Sequence, residues 1–261
     1  ELDAVVQHFK QRVTKIDTIF PCDDNKNALR KALTRIVREA EEAVAKGRSY
    51  LLLSDEAMDS DHAAVPMILA IAAVQGHLVK KKLRKRASIL VRTSECNDVH
   101  ALAVMIGSGA TVVHPALAEA TLLDRHTRGL MGSLTAEQAL ANLREAMNQG
   151  LLKVMSKMGI STYMSYCGAQ IFEAVGLNKS LVDKYFKGTA SNVEGIGVFE
   201  VAEEAIRLHS DAFSPDPVLA NMLDAGGEYA FRIRGEEHMW TPDSIAKLQH
   251  STRSGKIGRA S

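Results

Sequence analysis

The residues best suited to chemistry fall in a few short runs. Ser54-Asp55-Glu56-Ala57-Met58-Asp59-Ser60-Asp61-His62 sets four carboxylates directly behind the apolar run Tyr50 to Leu53. The C-terminal ends of buried strands are where α/β proteins build binding sites. A hard cation such as Mg²⁺ takes convergent oxygens of this kind. The calcium-loop spacing is absent, however, and acids just ahead of a helix also serve its positive end. The run is therefore read as a helix N-terminus, with the helix beginning near Ala63 and Pro66 in its first turn. Lys153 and Lys157, one turn apart, would make an anion site with Ser156 and Ser161. Phosphate favours helix N-termini rather than C-termini, so these lysines are read as complements to a negative helix end.

Two further runs carry a chemical alternative. Lys80-Lys81-Lys82-Leu83-Arg84-Lys85-Arg86 holds six cations in seven residues, a pattern of nucleic-acid patches. Without interleaved aromatics it reads as a solvated helix C-terminus. Gly188 to Gly197, GTASNVEGIG, has the glycines of a phosphate cradle but reads as a connector. Other patterns are missing. The nine histidines are scattered, with no ligand spacing. Cys22, Cys96 and Cys167 lie far apart, which excludes a sequence-local zinc or iron–sulfur cluster and a disulfide framework, and fits a reducing cytoplasm. No nucleophile elbow or Walker loop occurs. Gly107-Ser108-Gly109 precedes a strand, the wrong order for a dinucleotide fingerprint. Spacing thus assigns no catalytic, cofactor-binding or metal-ligating residue.

The elements around these runs alternate between helix and strand. Val13, Ile16, Ile19 and Phe20, ending at Pro21, leave strand and partial helix both open. Asp23 or Asp24 would cap a helix over Asn25 to Lys46, with Leu29, Leu33, Ile36, Val37, Ala40 and Val44 on one face, closed by Gly47. Tyr50 to Leu53 and Ser88 to Val91 are apolar strands of the parallel-sheet type, and Thr111 to Val113 is a third. Between them lie helices over Pro66 to Lys85 and around Val99, Leu102, Ala103 and Ile106. Thr135 and Gln138 form a capping box for a helix carrying Leu140, Leu143 and Met147. Gly150 would interrupt it. A short helix with Leu151, Val154, Met155 and Met158 would follow, capped by Gly159. Ile160 to Tyr166 reads as a buried strand, and Gly168 as the start of a helix bearing Ile171, Phe172 and Val175. Asn178 caps a short helix with Leu181, Val182, Tyr185 and Phe186. A helix over Val198 to His209 precedes the Ser214-Pro215-Asp216-Pro217 boundary. The tail holds Trp240 and a short helix, Pro242 to His250. This order predicts an α/β fold, a parallel sheet or partial barrel with helices flanking the strands and a less regular C-terminal tail.

Composition sets the outer limits. Of 261 residues, 46% are hydrophobic and 24% charged, ordinary for a globular protein with a sizeable core. A net charge of +1 argues against nucleic-acid or membrane-surface partners drawn by bulk electrostatics. No signal peptide or bilayer-length apolar run is visible. The start at Glu1-Leu2-Asp3 and the polar end, GKIGRAS, suggest a segment of something longer.

Several stretches carry a resemblance. KVMSKMGIST (Lys153 to Thr162), SYCGAQIFEAVGL (Ser165 to Leu177), VDKYFKGT (Val182 to Thr189) and GIG (Gly195 to Gly197) resemble the central domain of the glutamate synthase large subunit. LSDEAMDSDHAAVP (Leu53 to Pro66) and GSGATVVHPALA (Gly107 to Ala118) match more loosely, in the same order. GGEYAFRIRGEEHMWTPDSIAKLQH (Gly226 to His250) looks like the start of the family's flavin-binding synthase domain. The resemblance covers roughly residues 15 to 261. It implies a central domain over residues 1–213, then a linker and the beginning of the FMN-binding domain over 214–261.

In such a family an N-terminal glutaminase domain releases ammonia from L-glutamine. A (β/α)8 synthase domain with FMN and a 3Fe–4S cluster uses it to convert 2-oxoglutarate to L-glutamate, with NADPH or ferredoxin as the electron source. The resemblance implies a non-catalytic connector whose partners are the glutaminase and synthase domains of one cytoplasmic parent chain. A small NADPH-oxidising subunit is a further partner; nucleic acid and membrane are not. It carries no cofactor or catalytic residue onto this stretch. The chain departs from the family pattern at Cys167, where SYxGAQ has Arg, and over Thr93 to His100. Two other classes remain open from the residues: an autonomous α/β enzyme or flavin- or phosphate-binding module, and a ligand sensor built on Gly188 to Gly197.

Overall fold

The computed structural model describes residues 2–23, 27–213 and 225–255, which group into two compact units, 1–210 and 211–261. In the first, a short helix α1 (Leu2–His8) and a 3-10 turn (Lys10–Arg12) lead into β1 (Val13–Asp17) and β2 (Ile19–Pro21). Then come α2 (Ala28–Ala45), β3 (Tyr50–Ser54), β4 (His62–Ala64), α3 (Met67–Lys80), a 3-10 turn (Arg84–Arg86), β5 (Ser88–Thr93), α4 (Val99–Gly107) and β6 (Val112–Pro115). Strands β1, β3, β5 and β6 form an open parallel sheet in that order. Because the order never reverses, right-handed crossovers place α2, α3 and α4 on one face. The packing agrees. Ile16, Leu51, Leu53, Ile89 and Val91 join the main core with the apolar sides of those helices, while the alternate positions Leu52 and Leu90 pack on Leu2 and Val6 of α1. One face is thus deeply buried, and the other is covered near Leu52 and Leu90 by a seven-residue helix. The α/β class with flanking helices is as expected, and of the two expected forms the sheet is the open one.

The rest of this unit comprises α5 (Ala116–Thr127), α6 (Ala136–Lys157), α7 (Tyr163–Tyr166), β7 (Glu173–Leu177), α8 (Lys179–Tyr185), β8 (Ala190–Ile196) and α9 (Val198–Ala212). β2 and β4 pair antiparallel, β7 and β8 parallel. In the second unit, a turn-rich segment precedes α10 (Pro242–Ser254), which has its own capping box, Thr241 with Ser244, and ends at a left-handed Gly255. The Ser214 to Pro217 boundary and the Asp24 cap lie outside the described residues.

Several expected elements differ, each for a physical reason. The N-cap of α2 is Asn27 rather than Asp23, and no side-chain capping bond is made from it. The acidic run does not open a helix: its end pairs as β4, and α3 starts at Met67 with Pro66 as N-cap. α3 also stops at Lys80, where Lys82 turns to φ +61° and the chain enters its 3-10 turn. Gly150 interrupts nothing; α6 is a single helix of 22 residues. Its missing side chain lets α6 approach α4, since a Cβ there would lie 2.4 Å from Val99 Cγ2. Ile160 to Tyr166 is a loop and one helical turn rather than a strand, its tyrosines bonding to α4 and to the loop between α4 and β6. Gly168, at φ +77°, makes a turn into β7 rather than opening a helix. The glycine- and serine-containing stretch Gly188 to Gly197, read as a connector, is mostly the strand β8. The capping box at Thr135, the Gly159 terminus at φ +72° and the Asn178 cap hold as expected.

Candidate functional site

The C-terminal edge of the parallel sheet is where chemistry would be built, and the acidic run does lie there. Its four acids, however, diverge. Asp55 is buried, and its Oδ2 accepts from Thr93 Oγ1 at 2.8 Å, Ser94 N at 2.8 Å and Ser94 Oγ at 3.0 Å. It therefore ties the end of β3 to the end of β5. Glu56 turns outward to Arg92 Nη1 at 3.1 Å and Lys15 Nζ at 3.6 Å. Asp59 accepts from Asp61 N and faces His62 Nδ1 at 2.8 Å, stapling its own loop. His62 and the contacting Asp61 N–H hold the Asp59 carboxyl below the usual carboxylate range. Asp61 receives Cys22 N on its backbone carbonyl.

Two residues that spacing did not single out organise this edge. Glu95 Oε2 accepts from Met67 N at 2.7 Å and so caps α3 from the β5–α4 loop. This position, rather than the acidic run, complements the helix dipole. Crowding by protein pushes the Glu95 carboxyl up to about 7, against the pull of the Met67 N–H and with help from the charge of Asp55. The residue still presents surface to solvent. Arg92, on β5, reaches Asp3 of α1 as well as Glu56. Its Nε donates to His114 Nδ1 at 3.1 Å. A guanidinium nitrogen only donates, so His114 carries its proton on Nε2 and donates it to Glu119 Oε2 at 3.0 Å. Burial works against the Arg92 charge, but Asp3 and Glu56 outweigh it and raise its pKa, while Arg92 lowers that of Asp3. The signal for Arg92 was present in the sequence: a lone cation closing the run Ser-Ile-Leu-Val demands partners.

The motifs behind the resemblance converge elsewhere, on the loop between α4 and β6. Tyr166 Oη donates to Ala103 O at 2.9 Å and Tyr163 Oη to Thr111 O at 2.7 Å. Gly168 N and Gln170 N donate to Ile106 O and Gly107 O, and Cys167 Sγ lies 3.3 Å from Ala110 O. From the far side Arg84 donates to Gly109 O at 3.0 Å and also binds Gln75. Burial lowers the Arg84 pKa and raises those of Tyr163, Tyr166 and Cys167. Lys153 and Lys157 are both exposed on α6.

The arrangement at the strand ends is a set of clamps. Carboxylates fasten one loop to the next, and the Thr93 and Ser94 hydroxyls donate to Asp55 as part of that fastening. Burial pushes the Cys96 thiol up to about 12, which keeps it from nucleophilic chemistry. Among the described residues no group of three or more His, Cys, Asp or Glu is placed to hold a metal ion. No helix there is long and apolar enough to cross a membrane.

Comparison with known proteins gives a consistent result. The family model described as the glutamate synthase central domain matches residues 1–178. The chain is 42% identical over 251 residues to the glutamate synthase [NADPH] large chain of Azospirillum brasilense, covering 96% of this chain and 16% of that one. It is 39% identical over 248 residues to the Bacillus subtilis protein of the same name, with 95% and 16% covered. It is also 40% identical over 268 residues to the chloroplastic ferredoxin-dependent glutamate synthase of Spinacia oleracea, with 98% and 16% covered. The chain therefore spans 16% of the length of these relatives.

Proposed function

The chain belongs to the glutamate synthase central-domain family, and from that premise we propose that it is a non-catalytic connector within a glutamate synthase large chain. In this reading the parent forms L-glutamate from L-glutamine and 2-oxoglutarate in the cytoplasm. A glutaminase domain and an FMN synthase domain flank this piece, which holds them in register. Residues 214–261 lead into the synthase domain, and electrons reach it from NADPH, through a small partner subunit, or from ferredoxin. FMN and the 3Fe–4S cluster are housed in that neighbour. The residues here do not fit a cluster, because Cys22, Cys96 and Cys167 sit on separate loops and, among the described residues, join no group that could hold a metal.

The observation that carries this reading is the state of the strand ends. In a binding α/β protein these loops would present polar groups to a ligand. Here Asp55, Glu56, Asp59 and Glu95 are all turned to protein partners. These bonds tie the ends of β3 and β5 and the start of α3 together, which suits a spacer.

A segment exchange tests the proposal. This chain, substituted for the matching segment of the Azospirillum brasilense large chain, gives an enzyme in which glutamate formation stays coupled to glutamine hydrolysis. The chain alone turns over neither substrate and retains no flavin absorbance. Stoichiometric FMN on the chain alone, or glutamate made by it unaided, would overturn the reading.

A further inference from the structure

The opposite, N-terminal edge of the parallel sheet has a feature the connector reading leaves unused. In register, Val13, Tyr50 and Ser88 start β1, β3 and β5 side by side. Backbone bonds continue that row one step further, from Ser49 N to Arg12 O at 3.0 Å and from Ser88 N to Ser49 O at 2.8 Å. The segments entering these strands therefore lie next to one another, at the strand spacing of about 4.8 Å. Lys10 and Arg12 enter β1, and Lys46 and Arg48 enter β3. Lys82, Lys85 and Arg86 enter β5. All but the half-buried Arg48 are exposed. Residues 10–12, 46–49 and 80–88 contain no Asp or Glu at all. The recorded ion pair among these segments is that of Lys81 with Glu41, at 3.0 Å.

Charge is thus sorted by edge. The acids that follow β3 lie at the C-terminal ends of the strands and these bases at the N-terminal ends, where Glu41 and Glu42, close to the end of α2, are acids of the preceding helix, in a chain whose net charge is only +1. Helix dipoles account for part of this, since Lys46 is the C-cap of α2 and Lys82 lies just beyond the end of α3. Lys10 and Arg48 likewise lie two and three residues beyond the ends of α1 and α2, but the dipoles do not account for Arg12, nor for Lys85 and Arg86, which sit in the 3-10 turns that follow α1 and α3. Like charges on strands this close lie within the screening length of about 8 Å at physiological salt, so the cluster repels itself when uncovered.

We infer that this basic edge is an interaction surface for an acidic protein face, contributed by another part of the same large chain. The inference rests on the connector reading, which supplies the neighbouring chain. The relatives named above are about six times as long as this chain. An acidic protein face is favoured over nucleic acid because the basic segments hold no aromatic side chain on which a base could stack.

Lysine footprinting tests it. Amine-reactive acylation, read by mass spectrometry, is applied to this chain alone and to a full large chain containing it. In the full chain Lys10, Lys46, Lys82 and Lys85 react about tenfold more slowly, and they recover in about 1 M NaCl, where the screening length falls to about 3 Å. The chain alone is retained on immobilised poly-L-glutamate. The exposed variant Lys46→Glu/Lys82→Glu/Lys85→Glu keeps its melting temperature but is not retained. Equal reactivity of these lysines in the two forms overturns the inference, even where the full chain makes glutamate. Retention of the chain by duplex DNA at salt that releases it from poly-L-glutamate overturns it in favour of a nucleic-acid partner. The polymer arm needs no parent chain, so failure of the connector reading leaves its result standing.

Discussion

Gly150→Ala offers the sharpest check on the helix packing. At an exposed helical position this change would stabilise by about 1 kcal/mol, because Ala restricts the unfolded chain and fits the helix. At Gly150 the added Cβ would lie 2.4 Å from Cγ2, 2.6 Å from Cγ1 and 3.1 Å from Cβ of Val99, where carbon atoms need about 3.5 Å. Rotating Val99 gives no relief, since it exchanges one close methyl for another, and its β-branched side chain has few rotamers in a helix. α6 and α4 must separate by about 1 Å, an overpacking that costs about 1–3 kcal/mol. The net expectation is a loss of about 1 kcal/mol, or roughly 2–4 °C in melting temperature for a unit of this size. Val99→Ala removes both methyls and leaves only the milder Cβ contact at 3.1 Å. In that background Gly150→Ala stabilises by about 0.5–1 kcal/mol, and a double-mutant cycle gives a coupling of about 2 kcal/mol. Thermal and urea melts of the four proteins decide it. A Gly150→Ala protein more stable than the wild type, or a cycle that adds up within about 0.5 kcal/mol, would refute the close approach of α6 to α4.

Three further outcomes follow from the clamps. Asp55→Ala strands the buried Thr93 hydroxyl and the Ser94 N–H and costs about 2–4 kcal/mol in urea unfolding; Asp55→Asn, which keeps an acceptor oxygen, costs about half as much. The folded Glu95 carboxyl titrates near 7 against an ordinary value of 4.5, so between those pH values the folded chain holds a proton that the unfolded chain has released. Stability from Glu95 therefore falls as pH rises through that window and levels off above it; Glu95→Gln flattens the profile by about 1 kcal/mol, well short of the full linkage because solvent reaches the residue. Tyr166→Phe removes the bond to Ala103 O from a side chain only 1% exposed and lowers stability by about 1 kcal/mol; a loss below about 0.3 kcal/mol would show that water replaces that bond without penalty.

What was legible in the sequence was local. The Thr135–Gln138 capping box, the Asn178 cap and the Gly159 terminus each depend on atoms within three or four residues, and each stands where expected. Strands β3 and β5 announce themselves as apolar runs between glycine or charge. β7 and β8 do not, because a two-stranded sheet at the surface leaves Val175 and Val193 more than half exposed and so imposes no alternation on either strand. Gly150 misled for a related reason. In one dimension a glycine inside a helical pattern reads as a break, and only the position of Val99 on a different helix shows that it serves close packing.

The site was half legible, and the reason bears on what the edge can do. The carboxylates after β3 were visible, but the partners that hold Asp55 and Glu56 lie 36 to 39 residues away along the chain, at Arg92, Thr93 and Ser94. An acid with all its bonding capacity turned to neighbouring loops stabilises those loops; an acid that binds a ligand must keep some capacity free until the ligand arrives. Asp55 carries three donors on one oxygen, and Glu95 is committed to the start of α3. Turning the bonded oxygen of either to a ligand would first break a link between β3, β5 and α3, the elements that carry the main core. A binding role at this edge therefore competes directly with the fold, whereas the exposed cations at the other edge can take a partner without breaking any bond recorded in the sheet.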